Sequence, residues 1–286
     1  MKLGFIGMGF VGGTTAKVLS EAHEVLAYDK YKDPYKDPKV LKDAEVVFIC
    51  VPTPMKPSGE IDYSAIYNSL DTLSEVKENE SCIVVIRSTA VSGTTDTLKL
   101  GYPHFSFVFN PEFLREKYAL EDMWNTNRIV IGANRDEDFE KVKQVYLPLF
   151  SESKVKYIHV DRKTAEMIKY SSNAMLFGQI ALANELYKIC EAVDVNYDEV
   201  KNVLLLDNRI GRNINVPGPD GDFGGGGKCL IKDINALIYL AREKMYRPYL
   251  LEEVWRLNER VRKNKDWLEI PGATSGNQNF EGKDKK

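Results

Sequence analysis

The order of the apolar runs constrains this chain most. Up to Val160 the stretches KLGFIG, EVLAYD, EVVFICV, SCIVVIRS, FSFVFN, RIVIGA and KVKYIHV recur, rich in β-branched and aromatic residues. Between most of them lie helical patterns, at Phe10 to Glu21, Tyr63 to Leu73, Thr94 to Leu100 and Glu137 to Tyr146. Runs that are continuously apolar belong to strands buried on both faces. The expected fold is α/β, opening with a Rossmann-like parallel sheet covered by helices on either side.

After Val160 the strands stop. From Lys163 to Ala192 only Gly178 interrupts a helical pattern, and a rise of ~1.5 Å per residue makes that a rod of about 45 Å. Further helices are expected at Tyr197 to Leu206, Ile231 to Lys244 and Tyr249 to Lys263. The organisation reads as an α/β domain over residues 1–161 and an all-helical domain over 162–265, built on one long helix. A polar tail over 266–286 is expected to be disordered.

Composition removes several functions. A net charge of −3 gives no electrostatic reason for nucleic acid or an anionic membrane surface. No apolar run approaches the ~20 residues of a membrane-spanning helix. Cys50, Cys82, Cys190 and Cys229 show no paired spacing, and His23, His104 and His159 form no constellation. The expectation is a reduced, cytoplasmic protein with no metal site and no histidine triad.

GFIGMGFVGG places Gly7, Gly9 and Gly12 in the spacing G-x-G-x-x-G between a strand and a helix. Gly7 would allow the tight turn, Gly9 the approach of a pyrophosphate, and Gly12 close helix–strand packing. The N–H groups of Phe10 and Val11 open the helix toward the phosphates. Asp29 ends the second strand, where a carboxylate accepts both ribose hydroxyls and repels a 2′-phosphate. NAD is therefore expected over NADP, although Lys30, also a candidate cofactor contact, and Lys32 nearby keep NADP open.

Three stretches follow strands at their carboxyl ends, where ligands bind in open α/β sheets. They are VPTP with Thr53, RSTAVSGTT with Thr89, and NPEFLRE from Asn110 to Glu116. Asn110–Pro111 reads as a helix start, which would set Glu112 and Glu116 four apart on one face. Taken alone, such a pair reads as satisfying the helix dipole. On the long helix Lys169 and Asn173 are also four apart. Near the end, DGDFGGGGKCLIKD sets Cys229 behind four glycines and ahead of Lys232 and Asp233.

GMGFVG, VPTP, STAVSGTT, NPEFLRE, EMIKYSSNAMLFGQIALANE, RIG and FGGGGKCLIKD occur in one order along the chain. In that order they resemble the UDP-glucose/GDP-mannose dehydrogenases, from residue 2 to about 263. The resemblance implies NAD-dependent oxidation of a nucleotide-sugar C6 alcohol to the acid. Cys229 would capture the aldehyde as a thiohemiacetal that becomes a thioester. Lys169 and Asn173 would hold oxyanion and sugar, and Asp233 and Thr89 would position water. Glu112 would be the acid/base. Thr53, Thr89, Glu116 and Lys232 would line the cofactor. Glu112, Phe113, Leu114, Lys169, Asn173, Arg209, Phe223 and Gly226 would line the substrate. A homodimer packed through the long helix is implied too, and the helix's apolar residues on more than one side point the same way.

Ile231 and Lys117 depart from the family pattern, at a usual proline and a usual glycine. Family members also continue into another Rossmann-like domain, whereas here a polar tail follows Asp266, leaving nucleotide affinity and the identity of the sugar open. Two other readings stand beside the first. A β-hydroxyacid dehydrogenase would use Lys169 and Asn173 for one hydride transfer. A non-catalytic binding protein would hold a dinucleotide or sugar nucleotide.

Overall fold

In the computed structural model, which describes residues 1–78, 80–270 and 272–275, the apolar runs become seven strands. These are β1 (Lys2–Ile6), β2 (Glu24–Tyr28), β3 (Val46–Ile49), β4 (Ile83–Ile86), β5 (Ser106–Phe109), β6 (Arg128–Gly132) and β7 (Lys156–Val160). They form one sheet in the order β2-β1-β3-β4-β5-β6-β7. Side chains alternate between two apolar layers, so neither face of the sheet is left for water. Leu3, Phe5, Phe48, Val85 and Ile131 pack against α1 (Phe10–Leu19), α4 (Ala119–Trp124) and α5 (Asp136–Tyr146). Ile6, Ile49, Val84, Ile86 and Phe107 pack against α2 (Ser64–Val76) and α3 (Thr94–Gly101). Burial on both sides is why these strands read as unbroken apolar runs.

The sheet is mostly, not wholly, parallel: β5 meets β6 antiparallel at Phe109 and Gly132. Between them the chain runs through a loop and the six residues of α4, and β6 enters from the opposite end. Both strands are buried on two faces, so their composition carries no sign of direction. Chain order reverses beside β1, whose neighbours are β2 and β3. The carboxyl ends of β1 and β3 are thus the switch point at which such sheets bind ligands.

The chain divides into two compact units, Met1–Thr53 with Tyr63–Lys169, and Pro54–Asp62 with the chain from Tyr170 on. The division falls inside the long helix α6 (Arg162–Ala192) rather than at its start. The first turns of α6 are part of the sheet unit: Ala165 lies in its core, and a Cβ on Gly132 would sit 2.5 Å from that of Ala165. Fully buried Glu166 accepts the Gly93 and Thr95 N–H groups at 2.6 and 2.7 Å, satisfying the amino end of α3.

The second unit packs the later part of α6 with α7 (Tyr197–Leu204), α8 (Cys229–Glu243) and α9 (Tyr249–Val261). One apolar cluster joins Phe177, Ile231, Ile234, Ile238, Trp267 and Ala273. Part of the expected disordered tail is therefore folded. Trp267 and Ala273 are core residues, and Thr274 bridges to Met55. Trp267 and Ala273 are six residues apart, across the helix breakers Pro271 and Gly272, which leaves no helical or strand period to read. The remainder of that tail, 276–286, lies outside the described residues.

Candidate active site

In the sheet unit the glycine motif forms the turn between β1 and α1. Gly7 has φ +91°, and a Cβ there would meet the Cys50 carbonyl oxygen at 2.8 Å. A Cβ on Gly12 would overlap the Gly7 carbonyl oxygen, whereas one on Gly9 would meet nothing. Two glycines thus serve packing, and the third leaves the amino end of α1, with Phe10 and Val11, open to a diphosphate. The Asp29 carboxylate accepts the Met8 and Tyr31 N–H groups at 2.7 and 2.9 Å, which fixes it at the edge of this turn. Lys32 donates to the Met8 carbonyl at 2.9 Å, while exposed Lys30 lies 5.8 Å from the Tyr31 ring centre. The buried Thr53 hydroxyl donates to the Thr89 carbonyl at 2.9 Å, tying the loops after β3 and β4 together. These residues fit NAD: an open glycine cradle, a helix amino end, and a fixed carboxylate at the end of β2, where the sequence reading expects the ribose.

The expected helix at Asn110–Pro111 is absent. Residues 110–115 are irregular, Glu116–Tyr118 is a single 3-10 turn, and α4 starts at Ala119. The reason lies in Asn110, whose side chain is drawn into the buried interior instead of capping a helix. Its amide donates to the Val130 carbonyl at 2.6 Å, and its oxygen accepts from Arg87 at 2.5 Å and from the Tyr146 hydroxyl at 2.6 Å. Glu112 and Glu116 accordingly part. Glu116 is exposed, and Glu112 is buried against Lys169 with an N–O distance of 2.8 Å. Leu114 donates its N–H to Glu112 at 2.6 Å, and Lys169 lies 5.7 Å from the Phe113 ring centre. Burial by itself would raise the Glu112 carboxyl. The Lys169 ammonium, the Leu114 N–H and Arg87 outweigh it and hold Glu112 below the usual carboxylate range.

In the second unit Cys229 is the first residue of α8. Lys232 and Asp233 follow at three and four residues, so all three share one helical face. Buried Asp233 is held at both oxygens, by the Asn173 amide at 2.5 Å and by the Lys232 ammonium. The chain thus brings a sulfur at a helix amino terminus together with a fixed carboxylate, an ammonium and an amide. Cys50 and Cys82 are different: burial pushes both thiols up to about 12, which leaves them inert. Phe223 packs edge-on to Tyr187 at 5.3 Å. Arg209 is not drawn into this cluster; its exposed guanidinium is bidentate on Asp207.

The family models match most of this chain. That of the UDP-glucose/GDP-mannose dehydrogenase family, NAD binding domain, matches residues 27–150, and that of the same family's central domain matches 163–260. The UDP-glucose 6-dehydrogenase of Haloferax volcanii is 31% identical, over 91% of this chain and 70% of its own length. The chain belongs to the UDP-glucose/GDP-mannose dehydrogenase family. The UDP-glucose 6-dehydrogenase of Rickettsia felis is 38% identical over 77% of this chain. The chain spans about half the length of such Rickettsia relatives, 48% in that case. The UDP-glucose dehydrogenase of Pyrobaculum islandicum superposes with a TM-score of 0.81 at 25% identity, covering 91% of this chain and 68% of that one.

Family membership frames what the sequence alone missed. Arg87 stands inside RSTAVSGTT, yet only burial reveals that it organises Asn110 and Tyr146. Asn184, Asn258, Arg262 and Asp266 hold the glycine loop before Cys229. The last three are spaced by four, a regularity that was visible in the sequence but pointed to no target there.

Proposed function

We propose that this chain carries out NAD-dependent, four-electron oxidation of a nucleotide sugar at its C6 alcohol, with UDP-glucose as the substrate. The observation that carries the reading is Cys229 at the first position of α8, with Lys232, Asp233 and hydrogen-bonded Asn173 on the same side. The names of the relatives support UDP-glucose as the sugar nucleotide.

Gly9, Asp29 and the amino end of α1 would hold NAD, which would accept each of the two hydrides that leave C6. The protein's own residues handle the protons and the carbon. The positive end of the α8 dipole favours the Cys229 thiolate, which adds to the aldehyde carbon and forms the C–S bond of a thiohemiacetal as the carbonyl oxygen takes the electron pair. Capture keeps the half-oxidised carbon from leaving. Oxidation of that adduct gives a thioester, and water replaces sulfur at the carbonyl carbon to release the carboxylate and the thiol. Lys169 and Asn173, one turn apart on α6, donate to the oxygen that becomes anionic in both additions. Asp233, fixed at both oxygens, orients the water. Glu112 is held anionic, so it takes the base role rather than the acid role.

Assembly as a homodimer through α6 belongs to the same reading. Met175, Leu182, Ile189 and Val193 are spaced at seven, seven and four and are all more than half exposed, at 68, 60, 53 and 62%. A stripe of that length has a use when a second copy covers it.

The decisive measurement is NADH formed per mole of nucleotide sugar. The expectation is two with UDP-glucose, with turnover lost in Cys229→Ala. A yield of one that Cys229→Ala leaves unchanged refutes the nucleophile and points to a single hydride transfer.

A further inference from the structure

Four successive glycines suggest a loop kept flexible for a ligand, but their surroundings point elsewhere. Buried Asn258 on α9 accepts the Gly225 N–H at 2.7 Å and donates to the Gly225 carbonyl at 3.1 Å, gripping both backbone polar groups of one residue. Four residues on, the Arg262 side chain is 1% exposed and donates to Asp220 at 2.6 Å and to the Asn264 carbonyl at 2.8 Å. Four further on, Asp266 accepts the Gly227 N–H at 2.9 Å. From α6, Asn184 accepts the Gly224 N–H at 2.9 Å, its own amide being anchored on the Ile180 carbonyl at 2.8 Å.

The glycines are what let these groups in. A Cβ on Gly225 would stand 2.5 Å from the Phe177 ring, and one on Gly226 would overlap the Arg262 guanidinium. The crowding comes from the protein itself. Three peptide N–H groups of the loop are spent on side chains of the same unit, and the loop runs directly into Cys229 at the start of α8.

We propose that Asn258, Arg262 and Asp266 are positioning residues for Cys229: spaced by four along α9 and the turn after it, they hold the glycine loop and thereby the first turn of α8. The inference rests on the reading of Cys229 as the nucleophile. A loop cut loose from Asn258 lets the amino end of α8 fray, and the positive end of the helix dipole then holds no fixed place beside the sulfur.

The test is peptide-resolved alkylation of Cys229 by iodoacetamide in the full 286-residue chain, from about pH 6 to 9. Asn258→Ala should slow alkylation at pH 7 by about two- to five-fold, the size of a helix-terminus interaction, and move the half-maximal pH upward. Tyr197→Phe removes a comparable buried hydrogen bond, to the Ile214 carbonyl at 2.9 Å, elsewhere in the unit, and should leave both quantities unchanged. Arg262→Lys keeps the charge but cannot span Asp220 and the Asn264 carbonyl together, so it should shift both in the same direction. It decides the matter if Asn258→Ala does not fold. An unchanged rate and pH profile in a folded frame variant overturns the proposal, as does an equal slowing in Tyr197→Phe. NADH yield is measured in parallel. Alkylation that depends on the frame, in a chain making no NADH from any nucleotide sugar, upholds the frame and sinks the proposed activity; the reverse pattern sinks only the frame.

Discussion

Replacing Lys169 by Met tests whether the sheet unit depends on the Glu112–Lys169 pair. The two side chains are 8 and 7% exposed and 2.8 Å apart. At an effective dielectric of about 20 the gross attraction is about 6 kcal/mol, most of it offset by desolvation of the two ions. Removing one partner is costlier than the net worth of the pair, because the other charge stays buried; the expected loss is about 3–5 kcal/mol at pH 7. In calorimetry that corresponds to a fall of roughly 6 °C or more. The pH dependence gives a second signature. With Lys169 present, Glu112 lies below the usual carboxylate range. Its contribution is therefore present above the unfolded value and is lost as the pH falls through the folded one. In Lys169→Met burial is no longer opposed by the ammonium, and the carboxyl takes up a proton at higher pH. The deficit of the variant should thus shrink between pH 7 and about 4.5, the ordinary carboxyl range. Urea unfolding of both proteins at several pH values measures it. A deficit under about 1 kcal/mol at pH 7, the range of an exposed pair, refutes the reasoning. So does a deficit that stays constant across that range.

Three further outcomes are expected. Gly12→Ala puts a methyl onto the Gly7 carbonyl oxygen and 3.0 Å from the Cys50 Cβ. It should cost about 1–3 kcal/mol and abolish NAD binding in calorimetric titration, and retained binding would show that the turn is not the cradle. Burial pushes Glu166 up to about 7 against its three hydrogen bonds from Gly93 and Thr95. The folded state then keeps the proton longer than the unfolded one, so its contribution is full below the ordinary value of 4.5 and falls by about 3 kcal/mol as the pH rises to 7. Glu166→Gln should remove that component from the pH profile of stability, and a superimposable slope would contradict it. Leu182→Glu with Ile189→Glu, two exposed positions on α6, should convert a dimer to a monomer in solution scattering, without a change in circular dichroism. A native chain already monomeric at micromolar concentration would exclude the interface.

Much of the molecule is legible in its residues, and unevenly so. Seven strands and the long helix follow from apolar patterning, because a buried strand or helix face must be apolar whatever it packs against. Gly7 and Gly12 are legible because backbone sterics at a tight turn leave so few alternatives. Glu112 and Glu116 were not. A first turn with two carboxylates is a sound local reading of NPEFLRE, but it loses to Arg87 and Tyr146, which are distant in sequence and meet Asn110 only after the sheet forms. The folded stretch around Trp267 was missed for a similar reason, its partners Phe177 and Ile238 being remote.

By itself the sequence determined most of the strands and helices, where the glycine turn after β1 lies, and which chemical groups stand near the ends of those elements. These depend on interactions within a few residues, and on burial that any core would supply. The tertiary structure decided which groups are charged, which are held, and by what. Glu112 stays anionic because of Lys169, Cys50 is inert because it is buried, and the glycine loop has its shape because Phe177, Asn258 and Arg262 occupy the space a side chain would need. Desolvation, pairing and close packing depend on neighbours that the linear order does not name.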